Sequence, residues 1–402
     1  MQSAEDGESG TQEQADRQNT GEMTGSTPVH EEAAAPQGVR GGEPLSPAEP
    51  AGPLISITLL KELRVTLHLP NGTTAAVPLS QSALRTQLLA YLSWQHGTPV
   101  ARDTLLEDVF GHGKSDEEAS PQRLSEAFNS HRKLLRRDLR QTVATLNTAA
   151  GQTVLPADLD FFAVEQRLWK LAPHCIVSDL ATIDRYHELI ETARKEGALA
   201  SDIPAPIKGA CDGLIAAYPG DFLGDVLNHY PDEFQPWYSS WARKPFTLYR
   251  DYYLQAVRYA AEYEVQASQQ TTEQKRQRTH LGRSAELYRT YALTACNSAF
   301  DRKVSFGGNG REPGERVRES ERALRRAIAY YGLLAQTAQV DELFTAYSKQ
   351  MRSLSKTWEP SKETLEDLQG AKARTNEYRL GPLSPAAVRR DTGWPEALPQ
   401  SS

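Results

Sequence analysis

Residues 120–140 read SPQRLSEAFNSHRKLLRRDLR, and they decide how the first folded part of the chain is interpreted. Ser120 suits the N-cap of a helix, and Pro121 suits the first helical position, where its missing N–H loses no partner. Apolar side chains and one histidine then recur at spacings of four, three and four, at Leu124, Phe128, His131 and Leu135. This period places them on one face and predicts an amphipathic helix.

The other face of this predicted helix is basic. At about 100° per residue a second stripe forms, made of Asn129, Lys133, Arg136 and Arg140, with Arg132 and Arg137 beside it. Arg and Lys bind phosphate or guanine in the major groove of DNA, and Asn binds adenine. The pattern therefore predicts that these six residues contact double-stranded DNA. A solvated basic face on an ordinary amphipathic helix is the alternative.

Charge is unevenly distributed along the 402 residues, whose net charge is −7. Residues 1–53 hold ten Asp or Glu and two Arg, a net of −8, whereas residues 120–140 have a net of +4. The first segment is rich in Glu, Gln, Gly, Ser, Thr and Pro, so it buries too little apolar surface to offset its ordering entropy. We predict a disordered acidic tail over 1–53 and a loose, Pro-containing C-terminal tail over 371–402.

Composition argues against several classes of protein. The sequence has no run of about 18 apolar residues and no secretory leader pattern, so we expect a cytoplasmic protein that does not bind membranes. Its three cysteines are far apart and show no zinc-site spacing. The Gly113-Lys114-Ser115 stretch has Asp108 where a phosphate-binding loop needs glycine. We therefore expect no metal, no cofactor and no enzymatic activity.

Residues 54–158 show the element order of a winged helix-turn-helix domain. Three strand-like runs (LISITLL, LRVTLHL and TAAVPL) surround a tight turn at 70–73, so a small antiparallel sheet should open the domain. Helical patterns at 82–96 and 102–110 precede the basic helix. Residues 142–155, TVATLNTAAGQTVL, are interpreted as two short strands, the wing, around 148–151.

Residues 159–370 are almost wholly helical by pattern and predict a helical array. Pro236 and Pro245 should break or kink the longest pattern. The predicted helices span 161–171, 180–195, 207–217, 233–267, 273–299, 314–336 and 340–354, with a shorter one from Ser361. The fold class expected is mainly α: a winged helix-turn-helix with a small antiparallel sheet, followed by this array.

Residues 77–111 resemble the start of the DNA-binding domain of the Streptomyces antibiotic regulatory protein family. The matching positions are Gly97, Pro99, Val100, Arg102, Leu105 and Gly111. Further along, the YPGDFL of 218–223, two tryptophans (Trp237 and Trp241) and the EPSKET of 359–364 resemble the bacterial transcriptional activator domain of the same family. In that family this second domain is a TPR-like helical array.

The resemblance implies a sequence-specific transcriptional activator that binds promoter repeats, acts on the bacterial nucleoid and recruits RNA polymerase. It allows a homodimer on DNA, and it assigns polymerase contact to the loop 111–119, with Lys114, Asp116 and Glu117. The alternative is a helical scaffold that binds partner proteins and no longer reads DNA. Two features favour that alternative: Ser130 and His131 depart from the family's Arg and Leu, and the predicted wing at 145–155 lacks Arg and Lys.

Deleting residues 1–53 is expected to tighten DNA binding at low salt, because a tail of net −8 competes with DNA for the basic helix. The gain should fade with added salt, since the Debye length falls from about 10 Å at 0.1 M to about 3 Å at 1 M. Anisotropy titrations of a labelled duplex measure it. A tail with its acids changed to amides is the control and should behave like the deletion. Equal affinities of all three proteins at low salt would refute the idea.

Overall fold

The computed structural model describes residues 54–79, 83–95, 97–111, 120–197, 199, 202–296 and 314–374. The predicted acidic tail, the loop residues Lys114, Asp116 and Glu117, and residues 375–402 lie outside these ranges. Within them, the strands are β1 (Ile55–Thr58), β2 (Arg64–His68), β3 (Thr74–Ala76), β4 (Val100–Ala101), β5 (Phe162–Glu165), β6 (Leu168–Leu171) and β7 (Cys175–Val177).

Helices dominate the rest of the described chain, so the expected mainly-α fold class is confirmed. They are α1 (Ala83–Trp94), α2 (Arg102–Leu106), α3 (Pro121–Ala150), α4 (Ser178–Lys195), α5 (Ala205–Ala217), α6 (Gly224–His229), α7 (Pro231–Trp237), α8 (Arg243–Gln270), α9 (Gln274–Thr294), α10 (Glu315–Leu333), α11 (Thr337–Leu354) and α12 (Lys362–Arg374). Two π-helical turns, Glu107–Gly111 and Tyr238–Ala242, follow α2 and α7. The second of these turns lies between Pro236 and Pro245, where a break or kink was predicted.

The predicted N-terminal sheet is confirmed, with one unforeseen strand. β1, β2 and β3 pair as antiparallel neighbours, and Gly72 takes the left-handed φ of +80° that the turn between β2 and β3 requires. β7, from much later in the chain, adds to the free side of β1 in parallel register, with Ile57 opposite Val177. Ile55, Ile57, Val65 and Leu67 point into the core, in the period-two alternation of a sheet with one buried face.

The wing predicted around 148–151 is wrong, because α3 continues through this segment to Ala150. Leu139 and Val143 extend the buried stripe that ends at Leu135 in the quoted stretch, so the helix keeps its packing face. The helix ends at Gly151, whose φ of +65° is left-handed. After it the chain folds back, and the Asn147 amide oxygen accepts hydrogen bonds from the Val154 and Leu155 N–H groups.

The helix predicted over 161–171 is also wrong: this segment forms the wing, the antiparallel pair β5 and β6. The two strands join at Gln166 and Arg167, whose φ values of +50° and +70° are those of a primed two-residue turn. Such turns usually carry Asn-Gly or Gly, so the sequence held no turn signal here. β6 also pairs with β4, and this pairing ties the wing to the strand that precedes α2.

Strands β5, β6 and β7 all lie beyond residue 158, yet β6 pairs with β4 and β7 with β1. A division at 158 would therefore separate two sheets from their own strands. We propose that the winged-helix part extends to Val177 and that the array begins with α4.

The array packs helix against helix along the chain. α5 lies against α4 and α8, α9 lies against α8 and α10, and α10 lies against α11 and α12. Its second half has its own apolar core, centred on Tyr288, Tyr291, Ala327, Leu343 and Met351. Within the described ranges, no helix is both long and apolar enough to cross a bilayer.

The YPGDFL segment, quoted above for its family resemblance, joins the array to the N-terminal sheet. Its backbone runs beside the end of β1, where Leu223 N–H donates to the Leu59 carbonyl and Lys61 N–H to the Asp221 carbonyl, both at 2.8 Å. The Asp221 carboxylate accepts from Arg250 of α8, with Nε 2.8 Å from Oδ1, and from the Tyr218 hydroxyl at 2.7 Å. The Arg250 side chain is fully buried, and the Asp221 carboxylate supplies it with a countercharge.

Asp221→Ala is expected to lower the free energy of unfolding by about 3–5 kcal/mol, because it leaves the Arg250 guanidinium buried without its countercharge. Urea unfolding monitored by circular dichroism measures the loss. The control is Asp212→Ala, which removes an exposed carboxylate from Lys208, leaves Lys208 its second partner Glu264, and should cost about 0–1 kcal/mol. Equal losses in the two variants would contradict the assigned role of the buried pair.

Candidate nucleic-acid interface

Helix α3 is held in place by the apolar face that its sequence predicted. Leu124, Phe128, Leu135, Leu139 and Val143 are buried on it. The Phe128 ring meets the Trp169 ring of β6 edge-on at 4.8 Å and the Phe110 ring of the first π-helical turn at 6.3 Å. Phe128 therefore contacts both the wing and the helical pair before α3.

His131 shares this side of the helix and is half-buried. Its ring stacks on Phe110, with 5.7 Å between centroids and 15° between planes. Among the described residues, no group of His, Cys, Asp and Glu could hold a metal ion. The imidazole at this position thus packs against the Phe110 ring.

The opposite face of α3 is exposed and carries four of the six predicted contact residues: Asn129, Lys133, Arg137 and Arg140. Lys133, Arg137 and Arg140 join Arg136 and Gln141 around a shallow depression of about 500 Å³. The Arg137 side chain is 62% exposed and pairs with the adjacent Asp138, with 3.2 Å between Nη2 and Oδ1. This surface is open to solvent and strongly positive.

Arg136 lies at the edge of this surface, and an ion pair with Asp160 holds its side chain in place. Its Nε and Nη2 both donate to Oδ2 of Asp160, in the segment between α3 and the wing. The Arg136 side chain keeps 33% exposure, whereas that of Asp160 keeps 12%. The spacing of the basic residues predicted the face on which Arg136 lies, but it did not predict that Arg136 would pair with Asp160.

Arg132 turns towards the wing. Its guanidinium lies over the Trp169 ring at 4.7 Å from the centroid, so it forms a cation–π contact between α3 and β6. Burial, and then the neighbouring charge of Arg136, lowers the pKa of the Arg132 guanidinium, and Asp160 opposes this shift. The side chain is half-buried, and its Nε has no hydrogen-bond partner within the described residues.

The wing carries two further cations, which the sequence reasoning missed because it assigned the wing to the wrong segment. Arg167 is exposed at the turn between β5 and β6. Lys170 is half-buried, 2.8 Å from Glu165 across the hairpin. The expectation that the wing lacks Arg and Lys is therefore wrong.

Cys175 and Cys211 are unreactive thiols. Cys211 and Cys296 are buried and Cys175 is half-buried, all three as free thiols. Burial raises the pKa of the Cys175 and Cys211 thiols to about 12, so both are protonated at neutral pH. A protonated thiol is a poor nucleophile and a poor metal ligand.

Comparisons with known proteins add little to this geometry. No family model matches the chain, and no curated protein matches it. Among solved structures, the chain is similar to EmbR of Mycobacterium tuberculosis, a structure in complex with a low-affinity phosphopeptide. The identity is 15%, the TM-score is 0.40, and the match covers 81% of this chain and 69% of EmbR. A likeness of this extent carries no argument about function.

Phe128→Ala is expected to lower the free energy of unfolding by about 3–5 kcal/mol, because it removes a ring that is 1% exposed and contacts both Phe110 and Trp169. Chemical denaturation measures the loss. The matched control on the exposed face is Lys133→Ala, which should change stability by no more than about 0.5 kcal/mol. A loss below 1 kcal/mol in Phe128→Ala would mean that α3 does not depend on this packing.

Proposed function

We propose that this protein is a sequence-specific DNA-binding transcriptional activator, with α3 as its recognition helix. The observation that carries the proposal is the two-sided character of α3. One face is buried against the wing and the preceding helices, and the other exposes Asn129, Lys133, Arg137 and Arg140. A helix that is fixed on one side and basic on the other suits a DNA major groove about 12 Å wide.

The spacing of the exposed residues supports this geometry. From Asn129 to Arg140 the helix rises about 16 Å, at about 1.5 Å per residue. Asn129 is the natural reader of an adenine edge, and the arginines suit guanine or phosphate. Lys133 between them suits a phosphate oxygen, which it would bind as a point charge. We also propose that the exposed Arg167 of the wing contacts a phosphate of the DNA backbone.

The remaining predicted contacts have a different character. Arg132 and Arg136 each make an internal contact, with Trp169 and Asp160 respectively. Arg136 keeps part of its guanidinium exposed in the basic depression, so it can still contact DNA. Arg132 contributes charge at close range and holds the wing against α3. All six predicted residues therefore stay in the proposed interface.

The finer features of the proposal come from the family resemblance. We propose that the protein binds promoter repeats, as a homodimer where two repeats are adjacent, and that Lys114, Asp116 and Glu117 contact RNA polymerase. The helical array, which we take to be TPR-like, would carry the activating function in the cytoplasm without catalysis. One of the two features that favour the scaffold alternative still stands: Ser130 and His131 replace the Arg and Leu of the family's pattern. The other does not, because the wing carries Arg167 and Lys170.

Lys133→Ala and Asn129→Ala separate two kinds of contact. If Lys133 binds a phosphate, its loss should weaken binding to preferred and random duplexes alike, and should lower the salt dependence by about one counterion. If Asn129 reads a base, its loss should cost about 1–3 kcal/mol on the preferred duplex only. Titrations of both duplexes at several salt concentrations measure this, with a preferred duplex selected from a random library.

Glu188→Ala, a change at an exposed position of α4, serves as the control for these titrations. Circular dichroism establishes that each variant is folded. If Lys133→Ala and Asn129→Ala are both folded and both keep the affinities of the wild type, α3 is not the recognition helix. A wild-type protein that binds no duplex would favour the scaffold alternative.

A further inference from the structure

Asp160 is an acidic side chain placed directly beneath the basic surface. The residue is 9% exposed and lies in the segment that connects α3 to the wing. Its position is fixed on two sides: His174 Nε2 donates to its carbonyl at 2.8 Å, and Phe162 N–H donates to its Oδ1 at 3.4 Å. The other carboxylate oxygen, Oδ2, receives Arg136. An acid at this place lowers the attraction of α3 for phosphate, so its presence calls for a physical reason.

The contact with Asp160 uses one edge of the Arg136 guanidinium and leaves another free. Nε and Nη2 face Asp160, which is the side-on arrangement of an arginine and a carboxylate. Among the described residues, none is bonded to the end-on edge, which is formed by Nη1 and the second Nη2 hydrogen. That edge offers the two parallel donors that match O6 and N7 of guanine. The 33% exposure of Arg136 and its place in the basic depression are consistent with a free end-on edge.

Fixing an arginine in advance changes how it recognises DNA. A free arginine loses about 2 kcal/mol of side-chain entropy when it is held in one rotamer. Because Asp160 already holds the Arg136 side chain in the folded protein, this entropy is lost when the protein folds and is not lost again when it binds DNA. The same carboxylate cancels part of the charge that attracts any phosphate. Both effects favour the preferred sequence over random DNA.

We propose that Asp160 is a positioning residue for DNA recognition, which holds Arg136 so that its free guanidinium edge reads one guanine of the preferred site. The inference rests on the proposed DNA-binding function. It adds to that function a source of sequence preference outside the recognition helix.

The test uses Asp160→Asn in the full chain, with Asp138→Asn as the matched control. Both variants remove one negative charge from a carboxylate of a residue that is 9% exposed, and both carboxylates pair with an α3 arginine. They differ in that Arg137, the partner of Asp138, is 62% exposed and directly precedes Asp138 in the chain. Wild-type protein first selects a preferred duplex from a randomised library. All proteins are then titrated against that duplex and against random duplex.

Asp160→Asn is expected to lower the ratio of preferred to random affinity by about tenfold, the effect of one base contact. Its affinity for random duplex should stay the same or rise, because a negative charge is lost. Asp138→Asn should shift both affinities by the same factor and leave the ratio unchanged. A merely structural role for Asp160 would instead weaken binding to both duplexes together.

Arg136→Lys provides a second, independent measurement if Asp160→Asn folds poorly. Lysine keeps the charge but has neither the side-on nor the end-on pair of donors, so the ratio should fall as it does in Asp160→Asn. The double variant should fall no further than either single change, because both remove the same contact. Selection with Arg136→Lys should also yield a site with relaxed preference at one position.

Two outcomes overturn the inference and remain distinguishable from each other. If the wild type prefers its selected duplex and Asp160→Asn keeps the full ratio, or loses no more than Asp138→Asn, the positioning role is wrong while DNA binding stands. If the wild type binds neither duplex, the proposed function fails and the inference fails with it.

Discussion

The burial of Phe128 between the wing and the helices before α3 is the contact on which the proposed interface depends. Phe128 meets Trp169 on one side and Phe110 on the other, so it sets the rotation of α3 about its own axis. Turning the helix by one residue, about 100°, would put either the polar Asn129 or the much smaller Ala127 in its place. The exposed positions of Asn129, Lys133 and Arg140 therefore follow from what lies on the apolar side.

The winged-helix part and the array share one apolar core. The cluster that begins at Ile55 continues without a break through Trp241 to Ala260 of α8. Trp241 packs edge-on against Tyr91 of α1 at 5.2 Å, and the fully buried Arg250 pairs with Asp221 beside β1. The basic face of α3 and the helical array thus belong to one compact unit of the protein.

Prediction from sequence succeeded where periodicity was strong and failed where a short segment had no turn signal. The apolar period of α3 and the alternation in β2 were sufficient to place both elements. The wing was missed because Gln166 and Arg167 adopt positive φ without the usual glycine or asparagine. Residues 142–150 were misassigned because their threonines favour strands, whereas the buried Leu139 and Val143 keep the chain helical. Tertiary packing outweighed local propensity in both places.

The sequence by itself determined which side chains share the basic face of α3, because residue spacing along a helix decides which face each residue occupies. It also determined the mainly helical fold class. Only the tertiary structure decided what each cation does there. Asp160 anchors Arg136 from 24 residues away, and Trp169 faces Arg132 from a strand that the sequence analysis had assigned to a helix. Such partners are brought together by chain folding, and no local pattern in the sequence records a contact between distant residues.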